Sequence, residues 1–324
     1  MLPAGYTARP LSFVEVDGLL DGPDVDLAYE IVAAADTGIL AVADASRESV
    51  RSDLANPDAV REAHRLVTTT AGAPAGLLIV ERDEEARTFF VDAYTVPEHG
   101  RSLLAPLVAM GIEAASRLRD ERAWHIDAGA FAQDEVYADV LREAGFAEVR
   151  RFRHMHIELD PEDVDEPRPP AGVTRTVVQT EDDRRLLHQL DEIAFAEHFG
   201  FVPRAYAEWI GWFSDRRDAR PDLWWVATLD GEPVGLCIQD DSRVERNAGH
   251  VRVLGVVPEA RGRGIATWLL RAAFAQAARE GRGAMTLTVD SDNTTGATAM
   301  YERVGMRPER VIVVYRRPLG RGEP

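Results

Sequence analysis

The sequence predicts an α/β protein built from two similar halves, and three observations indicate this class. The chain has 324 residues, enough for two domains of ordinary size, and 45% of them are hydrophobic, as in core-forming proteins. Strand-like and helix-like segments follow one another in the same order in both halves. An acidic, proline-rich segment with little to bury separates the halves. We therefore expect domains at residues 1–160 and 173–324, joined by a linker at residues 161–172.

The two halves match each other at two points with nearly the same spacing. The sequence Val-Pro-Glu at residues 96–98 recurs at residues 257–259, an offset of 161, and Gly145 corresponds to Gly305, an offset of 160. In each half this turn follows a strand and precedes a long amphipathic helix, a further strand, a short helix and a final strand. A constant order with a nearly constant offset favours duplication of one α/β unit over chance.

The C-terminal half shows the clearer pattern of elements. Helical periodicity predicts helices at residues 182–199 and 205–213, and an Asp-Gly turn at residues 230–231 predicts a hairpin of two strands. The remaining expected elements are, in order, a strand at 251–257, a helix at 267–279, a strand at 284–289, a helix at 295–304 and a final strand at 311–315.

The turn that precedes the long helix has the features of an anion site. Residues 261–266 read Arg-Gly-Arg-Gly-Ile-Ala. Successive backbone N–H groups in such a turn converge with the partial positive charge of the helix N-terminus, which suits a pyrophosphate. Gly262 and Gly264 let the backbone approach the phosphates without a Cβ, and Arg261 and Arg263 add charge. Taken alone, the turn is better interpreted as a solvated helix cap.

The bulk properties of the chain argue against several classes of partner. The net charge of −18 argues against nucleic acid. A single cysteine, Cys237, allows no intramolecular disulfide and fits a reducing compartment. The sequence shows no signal-peptide pattern and no stretch near the ~20 apolar residues of a membrane span. We expect a cytoplasmic protein with no metal site, no membrane contact and no nucleic-acid partner.

A second motif favours the anion site over the helix cap. Asn293, Ala297, Tyr301 and Gly305 stand four residues apart, which places them along one helix face. Together with the Arg-x-x-Gly-x-Ala turn and the order of elements, this pattern resembles the GNAT (GCN5-related N-acetyltransferase) superfamily of acyl-CoA-dependent acyltransferases. The resemblance covers most of the C-terminal half and the N-terminal half in outline. It implies two tandem GNAT domains, each with a mixed, mostly antiparallel central sheet flanked by helices.

The resemblance also implies acetyl-CoA as the co-substrate. The amides of the turn would hold its pyrophosphate, and the edge of the strand at residues 254–256 would pair with the pantetheine amides. Asn293 resembles the family residue that contacts the cofactor near the acyl group, and Tyr301 resembles the tyrosine that protonates the leaving thiolate. Without the four-residue spacing, Tyr301 would be interpreted as a core aromatic. The implied cofactor residues are Leu254, Gly255, Val256, Arg261, Gly262, Arg263, Gly264, Ile265, Ala266 and Asn293.

The acceptor side of the expected site is less sharply defined. His250 stands where family members often have a glutamate, and strand alternation would place it on one face with Arg252 and Leu254. An imidazole titrates near neutral pH and can serve as the general base, although a partly exposed strand histidine explains His250 equally well. An aromatic cluster accompanies the segment that faces the substrate in the family, and part of it fits a core. The implied acceptor-binding residues are Glu197, His198 and Trp209.

The N-terminal half lacks the groups that carry this chemistry. His99 and Gly100 follow its Val-Pro-Glu turn in a shorter loop, and Leu141 stands where the tyrosine is expected. We therefore expect a degenerate GNAT-like domain that keeps the fold without the catalysis, and its capacity to bind coenzyme A stays open.

These features predict an acetyl-CoA-dependent N-acetyltransferase. Its C-terminal domain would acetylate a small-molecule amine by direct attack in a ternary complex. Two alternatives stay open, a non-catalytic acyl-CoA-binding or regulatory module and an acetyltransferase that acts on proteins. The tandem layout is also similar to that of the mycothiol synthases, although His250 replaces their glutamate.

Overall fold

Two units make up the structure, and each contains one mixed sheet. The computed structural model describes residues 1–16, 19–160, 162, 164–198, 201–291 and 296–320. The N-terminal unit consists of Met1–Arg151 together with Ile312–Pro324, and the C-terminal unit consists of Phe152–Val311. In the described part of the chain, no helix is both long enough and apolar enough to cross a bilayer.

Strands and helices follow one another along the chain in runs of one to three. The strands are β1 (Tyr6–Arg9), β2 (Val14–Val16), β3 (Leu19–Asp21), β4 (Arg65–Thr69), β5 (Pro74–Asp83), β6 (Thr88–Thr95), β7 (Trp124–Phe131), β8 (Ala147–Glu158), β9 (Val173–Val177), β10 (Trp225–Leu229), β11 (Glu232–Asp240), β12 (Ala248–Val256), β13 (Ala284–Asp290) and β14 (Arg307–Leu319). The helices are α1 (Pro23–Leu40), α2 (Arg47–Leu54), α3 (Gly100–Leu118), α4 (Glu135–Glu143), α5 (Glu181–Phe195), α6 (Tyr206–Ser214), α7 (Ile265–Arg279) and α8 (Ala297–Arg303).

The sheet of the N-terminal unit has the order β1-β4-β5-β6-β7-β14. Its neighbouring strands are antiparallel except β6 and β7, which are parallel. Side chains of β5 alternate between two clusters. Leu78 and Val80 pack with α3, whereas Leu77 and Ile79 pack with α1 and α2. The sheet is therefore covered by helices on both faces, as expected for this fold class.

The sheet of the C-terminal unit has the order β9-β10-β11-β12-β13-β8, with β12 and β13 as its parallel pair. Local sequence signals begin its elements. Thr180 caps α5 in a capping box with Asp183, and Asp230 and Gly231 both have positive φ at the hairpin turn. The parallel ladder joins residues 248–251 to residues 284–287 only, so β12 and β13 separate beyond that point.

The second part of the last strand in each sequence half belongs to the other unit. Residues 152–158 of β8 pair with β13, and Met155 is fully buried in the core of the C-terminal unit. Residues 312–319 of β14 pair with β7, and Val313 and Tyr315 are buried in the core of the N-terminal unit. The expected boundaries at residues 160 and 173 therefore differ from those of the structure, because periodicity identifies a strand without showing which strand it pairs with.

The segment expected to be a free linker is anchored on α7 in the C-terminal unit. The indole N–H of Trp268 donates to the Pro167 carbonyl over 2.9 Å, and the guanidinium of Arg279 donates to the Val164 carbonyl over 2.7 Å. The acidic, proline-rich composition is typical of a linker, but these two long side chains of α7 hold the described part of it in place.

Candidate active site

A cleft of about 540 Å³ opens in the C-terminal unit where β12 and β13 separate. Residues 251–256 of β12 and residues 287–290 of β13 form its walls. The end of α5, the turn before α7, residues of α8 and Phe152 also line it. The cleft therefore brings the glycine-rich turn together with Ala297 and Tyr301 of the second motif.

The turn before α7 leaves its amides open to this cleft. Gly262 and Gly264 have φ values of +77° and +80°, in the left-handed region that favours glycine. In the part of the chain that the structure describes, the amides of residues 262–267 donate no hydrogen bond. A Cβ placed on Gly262 would meet nothing within 4 Å. The turn thus presents a set of backbone donors at a helix N-terminus, as an anion requires.

The two arginines of the turn have different positions. The Arg261 guanidinium donates to the Val256 carbonyl over 3.1 Å and to the Ala194 carbonyl over 3.0 Å. It therefore links the end of β12 to the end of α5. Arg261 also lines the cleft, and the expectation that its charge serves a phosphate stays a prediction. Arg263 is exposed and has no ion-pair partner among the described residues, so its charge is available to an anion.

Gly255 is required by close packing. A Cβ at this position would lie 2.8 Å from Leu236 and 2.9 Å from both Ala194 and Phe195. Any side chain would therefore displace the end of α5 from β12. Leu254 and Val256, the other strand residues expected at the cofactor, also line the cleft.

His250 lies outside the cleft, against expectation. Ile238 pairs with Val253 whereas Gln239 pairs with Val251, so Arg252 is an extra residue in β12, a bulge. Because the extra residue reverses the alternation, the expectation that His250 and Leu254 share a face is wrong. His250 lines a separate, narrow cavity beside Asp240.

The environment of His250 keeps its imidazole neutral. Its Nδ1 lies 2.9 Å from Thr286 Oγ1. Burial is the main cause that lowers the pKa of His250 to about 4; Arg252 adds to the effect and Asp240 opposes it. The bulge and this burial together remove His250 from the position of a base acting in the cleft.

We expect His250 to make folding stability depend on pH. Its pKa is about 4 in the folded chain and takes the ordinary value of 6.5 in the unfolded chain. Between these two pH values the unfolded chain binds a proton that the folded chain does not. Stability therefore falls as the pH drops through this range. Replacing His250→Asn should reduce the loss of unfolding free energy between about pH 7 and about pH 5 by about 1–2 kcal/mol, measured by urea denaturation. Equal losses in both proteins would contradict this assignment.

Tyr301 lies in α8 and lines the cleft. Its side chain is buried, with 7% exposed, and its hydroxyl forms no hydrogen bond with any described residue. Burial raises the pKa of Tyr301, with a smaller effect from Cys237, so the phenol keeps its proton near neutral pH. Ala297, one helical turn earlier, also lines the cleft, whereas Asn293 lies outside the described residues.

The residues expected to bind the acceptor divide into three cases. His198 lines the cleft with its ring edge-on to Phe195, at a centroid distance of 4.6 Å. Glu197 is exposed and is not part of the cleft lining. Trp209 is 5% exposed and donates its indole N–H to Asp191 over 2.7 Å, so it belongs to the core and its expected role is wrong.

The chain also matches known proteins over most of its length. Residues 184–306 match the Acetyltransferase (GNAT) family. The mycothiol acetyltransferase of Streptomyces griseus subsp. griseus is 31% identical over 295 residues, which cover 88% of this chain and 85% of that protein. The chain belongs to the GNAT family. It is an acyl-CoA-dependent N-acetyltransferase.

Two solved structures share the fold of this GNAT protein across both units. A GCN5-related N-acetyltransferase from Sphaerobacter thermophilus has a TM-score of 0.83 at 26% identity and covers 98% of this chain and 97% of its own. The tandem GNAT protein from the clavulanic acid biosynthesis pathway has a TM-score of 0.73 at 17% identity and covers 98% of this chain and 100% of its own. The mixed, mostly antiparallel sheets of this chain are thus shared with both structures.

Some cleft residues of this GNAT protein were missed by the sequence interpretation. Thr288 and Asp290 line the cleft from β13, and strand alternation could have indicated them once β13 was placed. Arg252 lines it as well, with its guanidinium paired to Asp240. Phe152 reaches the cleft from β8, and no sequence signal could have indicated this, because it depends on the exchanged strand.

Proposed function

We propose that the C-terminal unit transfers the acetyl group of acetyl-CoA to a small-molecule amine. The observation that carries the proposal is the row of backbone amides at residues 262–267. These amides donate to no described residue and lie at the cleft. Such donors at a helix N-terminus fit the diphosphate of coenzyme A, and Arg263 adds a positive charge beside them. No group of His, Cys, Asp and Glu among the described residues could hold a metal ion, so the proposed chemistry uses side chains and backbone.

The proposed path of the co-substrate follows β12. Beyond Val251 the edge of β12 no longer pairs with β13, so its backbone can bond to an extended amide chain such as pantetheine. The carbonyl of Val256 is already used by Arg261, which leaves the edge at residues 253–255 for this pairing. The thioester would then reach the part of the cleft that Tyr301 lines.

The proposed reaction is a direct attack within a ternary complex. The amine attacks the thioester carbonyl, the C–S bond breaks, and the Tyr301 hydroxyl gives its proton to the departing sulfur. The amine loses one proton as the C–N bond forms. His198 and Asp290 are titratable groups that line the cleft, and they replace His250 as the groups to test for this step.

The identity of the acceptor is a finer question. The relative named mycothiol acetyltransferase supports a small-molecule amine, and its 31% identity makes the amine that is acetylated in mycothiol the first acceptor to test. We place the reaction in the cytoplasm, where acyl-CoA is available and the free Cys237 stays reduced.

The test of the proposed function is acetyl-CoA binding and turnover by the full chain. Isothermal titration with acetyl-CoA is followed by an acceptor panel in which acetylation is detected as a mass increase. Binding with acetylation of a small amine supports the proposal. Absence of any heat at millimolar acetyl-CoA overturns it, and binding without transfer to any amine favours a regulatory module.

We expect the two arginines of the turn to have separable effects. Arg263→Met should weaken acetyl-CoA binding roughly threefold at low salt, because one exposed charge near a phosphate is lost, and should leave stability unchanged. Arg261→Met should lower the free energy of unfolding by about 1–3 kcal/mol, because the Val256 and Ala194 carbonyls lose their donor. Titration calorimetry and urea denaturation of both variants measure this, and the reverse assignment of effects would contradict the positions described.

A further inference from the structure

The N-terminal unit has the same strand opening as the C-terminal unit. Its parallel ladder joins residues 88–90 of β6 to residues 125–127 of β7 only, so these strands also separate. Duplication therefore preserved the geometry in which the C-terminal unit forms its cleft. The side chains placed at this opening decide whether an acyl-CoA can enter it.

One residue difference between the two halves changes the opening in the N-terminal unit. With the offset of 160 between Gly145 and Gly305, Tyr137 of α4 corresponds to Ala297 of α8. Ala297 lines the cleft of the C-terminal unit, whereas Tyr137 is 5% exposed and belongs to the core of its own unit. A large ring thus fills the space that a methyl group leaves open.

The hydroxyl of Tyr137 also forms hydrogen bonds with the edge of β6. The Ala93 N–H donates to it over 3.2 Å, and it lies 3.4 Å from the Val91 carbonyl, to which it donates. With the offset of 161, Ala93 corresponds to Leu254, on the edge that we propose pairs with pantetheine. In the N-terminal unit, the Tyr137 hydroxyl therefore makes the hydrogen bonds that this edge of β6 would offer to pantetheine.

The turn of the N-terminal unit is shortened as well. Helix α3 begins at Gly100, two residues after Glu98, whereas α7 begins at Ile265, six residues after Glu259. The glycine-rich turn whose amides are open in the C-terminal unit is therefore missing. The amides of His99 and Gly100 instead donate to the Val96 carbonyl, over 2.9 Å and 3.4 Å.

We propose that the N-terminal unit binds no acyl-CoA, because Tyr137 occupies the strand edge and the space that pantetheine would use. The chain then binds one acyl-CoA, in the C-terminal unit. This inference rests on the proposed function for the location of that single site. It also gives a physical reason for alanine at position 297, since a larger side chain there would fill the cleft.

The experiment compares binding stoichiometry in three forms of the full chain. Wild type, Ala297→Tyr and Ala299→Tyr are titrated with acetyl-CoA, and the exposed Ala299 on the same helix provides the matched control. We expect one site in wild type and in the control, and at least a hundredfold weaker binding in Ala297→Tyr. Thermal melting checks that all three proteins are folded.

Each outcome separates the inference from the proposed function. Two sites per wild-type chain overturn the inference and leave the proposed function standing. One site that survives in folded Ala297→Tyr also overturns it, because that site would lie elsewhere. No binding in wild type overturns the proposed function itself. Should Ala297→Tyr not fold, a Tyr137→Ala chain that gains a second site would support the inference, and two sites in wild type would still overturn it.

Discussion

Replacing Tyr301 by phenylalanine should lower turnover by about 10²–10⁴-fold and leave acetyl-CoA affinity nearly unchanged. The magnitude is that of losing a positioned general acid. Without the hydroxyl, the thiolate must leave without a proton donor, whereas the aromatic ring still packs in the same place. The hydroxyl forms no hydrogen bond with any described residue, so no described group loses a hydrogen-bond partner when it is removed. The substitution should therefore leave stability unchanged. Steady-state kinetics, titration calorimetry and thermal melting of the purified variant measure the three quantities.

Tyr137 provides the matched control for this variant. Tyr137→Phe removes the same atom from a tyrosine of the other unit, where the hydroxyl accepts from Ala93 N–H and donates to the Val91 carbonyl. We expect a loss of about 1–3 kcal/mol in unfolding free energy, because buried backbone groups lose their partner, and no change in turnover. The two variants should therefore show opposite effects. Unchanged turnover in Tyr301→Phe would show that the acid has been misassigned.

The sequence predicted elements and motifs well because these depend on local patterns. The helix expected at residues 205–213 is α6 at Tyr206–Ser214, and the strand expected at 284–289 is β13 at Ala284–Asp290. The glycines of the turn have positive φ values, which glycine adopts without steric strain. Periodicity, turn chemistry and spacing are properties of short segments, and the structure keeps them.

The sequence could not predict features that depend on pairing between distant segments. The bulge at Arg252 turns His250 away from Leu254, and it is visible only in the register between β11 and β12. The exchange of β8 and β14 brings Phe152 into the cleft, and it depends on which strand pairs with β13. Trp209 shows the same limit, because helical spacing of aromatics is equally consistent with a core and with a pocket.

A C-terminal fragment cut at the boundary that the sequence suggests should fail to fold. Residues 173–324 lack β8, so the edge of β13 from Ala284 to Asp290 loses its partner strand. The core also loses Met155, whose burial alone is worth roughly 1.5–3 kcal/mol. At the other end this fragment keeps residues 312–319, whose buried side chains belong to the core of the N-terminal unit. An open edge and exposed apolar residues together favour aggregation.

A fragment cut at the boundaries of the structure is the control. Residues 152–311 keep the strand that pairs with β13 and omit the segment that belongs to the other unit. We expect this fragment to unfold cooperatively and to bind acetyl-CoA, and the 173–324 fragment to lack a cooperative transition. Circular dichroism melting and gel filtration of both fragments measure the difference. Total stabilities of ~5–15 kcal/mol leave little margin for losing a whole strand. A cooperative transition in the 173–324 fragment would contradict this expectation and show that β8 is dispensable.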